Sequence, residues 1–187
     1  YPQWSAQVYG DRDAAYRQYT NPNGTGTKQI LALEVVAQHL KAMEEYGDAL
    51  SNRSSPLYNS AKNFFATQLG HPEVTNFDTA KQAVAQEVLK AIGGGGVQAL
   101  ADRREAEAAF SSAKSPAQLK GAISTLKNLI AARLDKTAHQ YEESTARKDF
   151  YKTRVSPDNV EVLKPSAPQS AIDHLKQNPT SEMKKFF

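Results

Sequence analysis

The chain has 187 residues, a net charge of +3, 40% hydrophobic and 23% charged residues, and no cysteine. That composition suits an ordinary globular domain with tails. It excludes disulfide staples and thiolate metal sites, and no apolar run is long enough for a transmembrane helix.

Residues 1–27 are rich in aromatics and show little helical period. Trp4, Tyr9, Tyr16 and Tyr19 punctuate polar sequence, and "TNPNGTGT" (Thr20 to Thr27) is a cluster of turn residues. A short helix fits "DRDAAYRQY" (Asp11 to Tyr19). The rest is expected to be extended, with its aromatics as anchors on another surface.

From Lys28 the pattern changes. Leu33, Val36, Leu40, Met43, Gly47 and Leu50 recur at steps of three and four, the stripe of an amphipathic helix. This helix is expected to stop near "SNRSS" (Ser51 to Ser55), whose short polar side chains compete for backbone hydrogen bonds. "SPLYNSAKNFFATQLG" (Ser55 to Gly70) reads as a second helix, with Ser55 as N-cap, Pro56 at its first position and Gly70 past its end. A third runs from Phe77 to Ile92, with Phe77, Ala80, Val84, Val88 and Ile92 on one side.

Four glycines follow, Gly93, Gly94, Gly95 and Gly96, before a fourth helix over Val97 to Lys114. A phosphate-binding or dinucleotide-binding loop needs a preceding strand, and a helix precedes this run. Within a helix each glycine would cost about 1 kcal/mol relative to alanine. The run is therefore read as a helix–helix joint and a candidate hinge. "GTGTK" (Gly24 to Lys28) also lacks the strand and spacing of a phosphate loop.

A fifth helix starts at "SPAQ", with Ser115 as N-cap and Pro116 in the first turn. Leu119, Ile123, Leu126, Ile130, Leu134 and Tyr141 make the longest stripe in the chain. Beyond it the sequence turns polar and is broken by Pro157, Pro165 and Pro168, with a last short helix expected over Ala171 to Gln177. Ser-Pro at Ser55, Ser115 and Ser156 reads as a shared capping device. The expectation is all-α: an elongated bundle of about five helices with extended, proline-containing termini. It divides into an extended segment (1–27), a helical bundle (28–145) and an extended tail with a short helix (146–187).

Few residues suggest chemistry. His39, His71, His139 and His174 show no metal-ligand spacing. "YEES" (Tyr141 to Ser144) places Glu142 and Glu143 at the charged end of a long helix. A glutamate acting as general acid needs a substrate cleft and a raised pKa instead. "TARKDFYKTR" (Thr145 to Arg154) is the best basic patch. Its Arg147, Lys148, Lys152 and Arg154, interleaved with Phe150 and Tyr151, make a candidate nucleic-acid or partner surface. The closing "EMKKFF", with Lys184, Lys185, Phe186 and Phe187, is amphipathic but too short to anchor alone.

Three stretches carry a family resemblance. "VTNFDTAKQAVAQEVLKAIGGGG" (Val74 to Gly96), followed by "SPAQLKGAISTLKNLIAARLDKTAHQYEEST" (Ser115 to Thr145), resembles a module of large virion proteins of tailed bacteriophages. "SAIDHLKQNPTSEMKKFF" (Ser170 to Phe187) is similar to a short motif near the C-terminus of many phage structural proteins. The three cover about two fifths of the chain, and their order carries the match more than any one of them.

The resemblance implies a DNA transfer or ejection protein, an internal virion protein of short-tailed phages. Such a protein leaves the particle with the genome and helps it cross the host envelope. The chain, which begins at Tyr1, is read as the C-terminal part of a longer protein. The expected partners are copies of itself and portal or tail proteins, with DNA and host-envelope contact in addition. The resemblance supplies no catalytic residue, so neither catalysis, a metal, a cofactor nor a small-molecule ligand is expected. A DNA-binding helical module, or a peptidoglycan-cleaving module using Glu142 or Glu143, is the alternative.

Overall fold

A computed structural model describes residues 5–51, 77–93 and 97–163, with single positions at 59, 63 and 67. Its regular structure is entirely helical. In chain order, α1 spans Ala6–Thr20, α2 Thr25–Ser51, α3 Phe77–Ala91, α4 Val97–Ser112, α5 Pro116–Thr145, α6 Phe150–Thr153 and α7 Pro157–Val162. The chain is an all-α helical bundle, as its periodicity implies. The helix read over Ser55 to Gly70, the helix read over Ala171 to Gln177 and the closing "EMKKFF" lie outside the described residues, apart from the single positions 59, 63 and 67.

The chain packs as two compact units. The first comprises residues 1–34 and 131–187, the second Val35–Ile130. The boundaries therefore fall inside α2 and α5. Beside the expected division into 1–27, 28–145 and 146–187, the described helices of the two ends, α1, α6 and α7, fall in one unit with the start of α2 and the end of α5.

In the first unit, the expected extended segment carries the fifteen-residue α1. Ser5 caps it, its hydroxyl accepting from the Val8 N–H at 3.4 Å. Periodicity does not announce this helix because none of its residues is buried. The chain then reverses through Asn21, whose Oδ1 accepts from the Asn23 N–H at 2.8 Å. Gly24 and Gly26 make this corner. A Cβ on Gly24 would run into the Gln18 carbonyl, and one on Gly26 into the ring of Tyr19. The "GTGT" stretch is thus a close approach of α1 to the start of α2.

In the second unit, the stripe read along α2 is the core. Val36, Leu40 and Met43 are buried there. A Cβ on Gly47 would stand 2.6 Å from Leu119 Cδ2, so glycine lets α5 approach. Ala80, Val84 and Val88 of α3, Phe110 of α4, and Leu119, Ile123, Leu126 and Ile130 of α5 complete it. Each large side chain buried in this way contributes about 1.5–3 kcal/mol. The start of α3 lies beside the end of α4, so the two helices run antiparallel. There the Lys81 ammonium donates to the carbonyls of Ala113 at 2.7 Å and Ser111 at 3.3 Å.

The caps follow the Ser-Pro reading at both positions described. Ser115 Oγ accepts from the Gln118 N–H at 3.2 Å, while Gln118 Oε1 accepts from the Lys114 N–H at 3.0 Å. Ser156 Oγ accepts from the Asn159 N–H at 3.3 Å. Ser55 lies outside the described residues. Ala146 ends α5 with φ +57°, a left-handed conformation that costs an L-residue about 1–2 kcal/mol.

Three substitutions separate these effects. Ala146→Gly should stabilise the chain by about 1 kcal/mol in urea unfolding, since glycine tolerates this conformation. Gly121→Ala, in the second turn of α5 with nothing within 4 Å of the added methyl, should also stabilise by about 1 kcal/mol. Gly26→Ala should do the reverse, losing about 1–3 kcal/mol through the clash with Tyr19.

A candidate interaction site around Tyr141

The tail after α5 folds back onto that helix, and the side chains singled out as a basic–aromatic surface are sorted by this turn. Tyr141, near the end of α5, is fully buried. Its ring meets Tyr19 of α1 edge-on at 5.2 Å, Phe150 of α6 at 5.5 Å and Tyr16 of α1 at 6.3 Å. Such pairs contribute about 0.5–1.5 kcal/mol each beyond their buried area. The Tyr141 hydroxyl donates to Asp149 Oδ1 at 2.7 Å. Phe150 packs edge-on against Tyr151 at 5.2 Å.

Two arginines fasten α1 to this cluster. The Arg147 guanidinium lies 4.0 Å from the centre of the Tyr16 ring, a cation–π contact. Arg154 lies 5.8 Å from the same ring and donates from Nη1 to the Tyr19 carbonyl at 3.1 Å, in the last turn of α1. A cation suits that position, where the helix dipole is negative. Beside it, the Ser156 N–H donates to Glu34 Oε1 at 2.7 Å.

This arrangement divides the expected surface. Phe150 and Tyr151 are buried, so in this conformation they are not presented for stacking on nucleobases. Arg147 and Arg154 hold α1. Within the patch, only Lys148 and Lys152 remain as exposed cations without a described partner. Among the described residues of this unit, 5–34 and 131–163, nine basic side chains are matched by nine acidic ones.

The expected anchors also divide. Tyr16 and Tyr19 are half-buried against their own chain, whereas Tyr9 is 67% and Val8 44% exposed. Tyr9 precedes Tyr16 by two helical turns and Val8 precedes Tyr19 by three, so they extend the same side of α1. Leu31 and Val35, one turn apart on α2, are also exposed. Trp4 lies outside the described residues.

At the glycine run, the Gly93 N–H reaches the Lys90 carbonyl at 3.3 Å as α3 ends, and Gly94, Gly95 and Gly96 lie outside the described residues. His39 is buried, with Nδ1 2.5 Å from Glu87 Oε2 on α3. His139 is exposed, 3.6 Å from Asp135. His71 and His174 lie outside the described residues. Glu142 is half-buried and Glu143 exposed at the end of α5. Among the described residues, no three His, Cys, Asp or Glu side chains gather as metal ligands.

Sequence reasoning missed the Tyr141 hub and the buried Lys81. Periodicity puts Tyr141 on a core stripe, with no sign that α1 and α6 meet there. Lys81 sits between Phe77 and Val84 at helical spacing, and that position was the available signal.

Burial, and after it the Asp149 carboxylate, pushes the Tyr141 phenol up to about 12. Burial also raises Tyr19, against a hydrogen bond from Ser144 that lowers it. Burial raises Tyr151 as well, helped by the negative charges of Asp135 and Glu142. The Tyr151 hydroxyl is buried with no hydrogen-bond partner among the described residues.

The folded protein thus keeps phenolic protons that the unfolded chain releases near pH 10. Stability should be fully present below pH 10 and fall as pH rises from about 10 to 12, by up to about 1.4 kcal/mol per pH unit for each such group. Tyr141→Phe should flatten that decline and cost about 1 kcal/mol at neutral pH for the lost hydrogen bond. Tyr151→Phe removes an unpaired hydroxyl and should be neutral or stabilising by about 1 kcal/mol. Urea unfolding at stepped pH reads all three.

Comparison with known proteins identifies no relative: no family model, curated protein or solved structure matches the chain.

Proposed function

We propose that the chain is an assembly module of a tailed-phage virion, an internal protein that leaves with the genome and helps DNA cross the host envelope. It acts by binding neighbours and without catalysis in this segment. The virion assignment is carried by the three resembling stretches in their order along the sequence.

One structural observation carries the assembly role. The helix α1 is fifteen residues long and buries none of them. Its C-terminal half is fastened by Tyr16, Tyr19, Arg147 and Arg154, while Val8 and Tyr9 remain in water on the same side. A helix this short is marginal alone, so an arm fastened at one end only is suited to being completed by a neighbour. Large aromatic side chains presented in this way are common anchors in protein interfaces. Copies of the chain and portal or tail proteins are the proposed partners, with the virion interior or tail as location and the host envelope after ejection. Among the described residues, no helix is long and apolar enough to cross a membrane.

Quantitative mass spectrometry of full particles and of particles emptied of DNA tests the reading. The chain should be present in the first and lost from the second. Presence in neither contradicts the virion assignment, and retention after emptying makes it a fixed component instead. Val8→Glu with Tyr9→Glu should lower its copy number in particles by about tenfold or more, the scale of losing an interface anchor. Both positions are exposed, so the melting temperature of the isolated chain should stay unchanged.

A further inference from the structure

The second unit holds a cleft of about 700 Å³ whose lining includes the start of α3, the α4–α5 connection and the first turn of α5. This volume is in the range of small-molecule sites. Phe77, Pro116 and Leu119 supply apolar wall, and Lys81, Asp78 and Ser115 supply polar groups. Neither the fold nor the proposed assembly role accounts for its chemistry.

The Lys81 side chain is only 4% exposed, yet it carries an ammonium. Two of its three donors go to the Ala113 and Ser111 carbonyls. Asp78 Oδ1, at 3.0 Å, is its carboxylate partner among the described residues, and that side chain is 79% exposed. A buried charge is costly to desolvate and is tolerated when a counter-ion and full hydrogen bonding offset that cost. Here the counter-ion is a short side chain one turn away, standing in water at the mouth of an apolar-walled cleft. Asp78 thus shows that a carboxylate fits on Lys81 Nζ, and its exposure leaves it free to turn into water.

We infer that this cleft binds a small organic monocarboxylate with an apolar tail. The ligand carboxylate takes the place of Asp78 on Lys81 Nζ, and the tail lies along Phe77, Pro116 and Leu119. Displaced Asp78 turns into solvent at little cost. The cleft is independent of the virion reading, because it lies within residues 35–130 and needs no partner protein.

Calorimetric titration of the full 187-residue chain with hexanoate tests it. Saturable binding is expected, about tenfold or more weaker for 1-hexanol, which lacks the charge for a charge-assisted bond. Asp78→Asn removes the competing carboxylate from an exposed position and should tighten hexanoate binding about threefold or more. Lys81→Met should abolish it. If that variant fails to fold by circular dichroism, Asp78→Asn decides alone. No saturable binding, equal binding of 1-hexanol, or unchanged or weaker binding by Asp78→Asn overturns the inference.

Discussion

The Tyr141 side chain is the contact on which the first unit depends. It is buried at the end of a thirty-residue helix, and four other side chains find their places against it. Tyr16 and Tyr19 bring α1, Phe150 brings α6, and Asp149 accepts a 2.7 Å hydrogen bond from the phenol. The left-handed turn at Ala146 is what allows the chain to return from α5 to this contact. Its strain is tolerated because the returning segment buries Phe150 and Tyr151 and delivers Arg147 and Arg154 to α1.

The same contact turns the aromatic side chains of the basic segment inward. Aromatics that stack on bases must be presented to solvent, and here they are turned inward. The arginines that would contact phosphate serve instead to fasten α1. What remains outward is mixed in sign. The outward apolar side chains lie elsewhere, on α1 at Val8 and Tyr9 and on α2 at Leu31 and Val35. The proposed assembly role of the first unit therefore draws on an incompletely covered helix rather than on charge.

The parts of the fold legible in the sequence are those where a stripe is buried along a whole helix. The stripe from Leu119 to Tyr141 marks α5, and Ser115 with Pro116 marks its start to the residue. Leu33 to Met43 marks α2 in the same way. The full length of α1 was not legible, because a helix held by two half-buried tyrosines and two distant arginines leaves no periodic trace. Phe150 and Tyr151 stand out as a local cluster, but their inward direction depends on the left-handed turn at Ala146 that brings Phe150 back onto Tyr141. Lys81 escapes notice for a related reason: two of its donors go to carbonyls at the end of another helix, which no local pattern encodes.

Everything proposed for the first unit requires α1 to be fastened at its C-terminal half and left for a neighbour to complete at its N-terminal half. Amide hydrogen exchange along α1, in the isolated chain and in the assembled particle, tests this directly. Slow exchange is expected at Tyr16 to Thr20 in both states. Fast exchange is expected at Tyr9 to Arg12 in the isolated chain, slowed on assembly. Equal protection along the whole helix in isolation, or no change at Tyr9 to Arg12 on assembly, would contradict it.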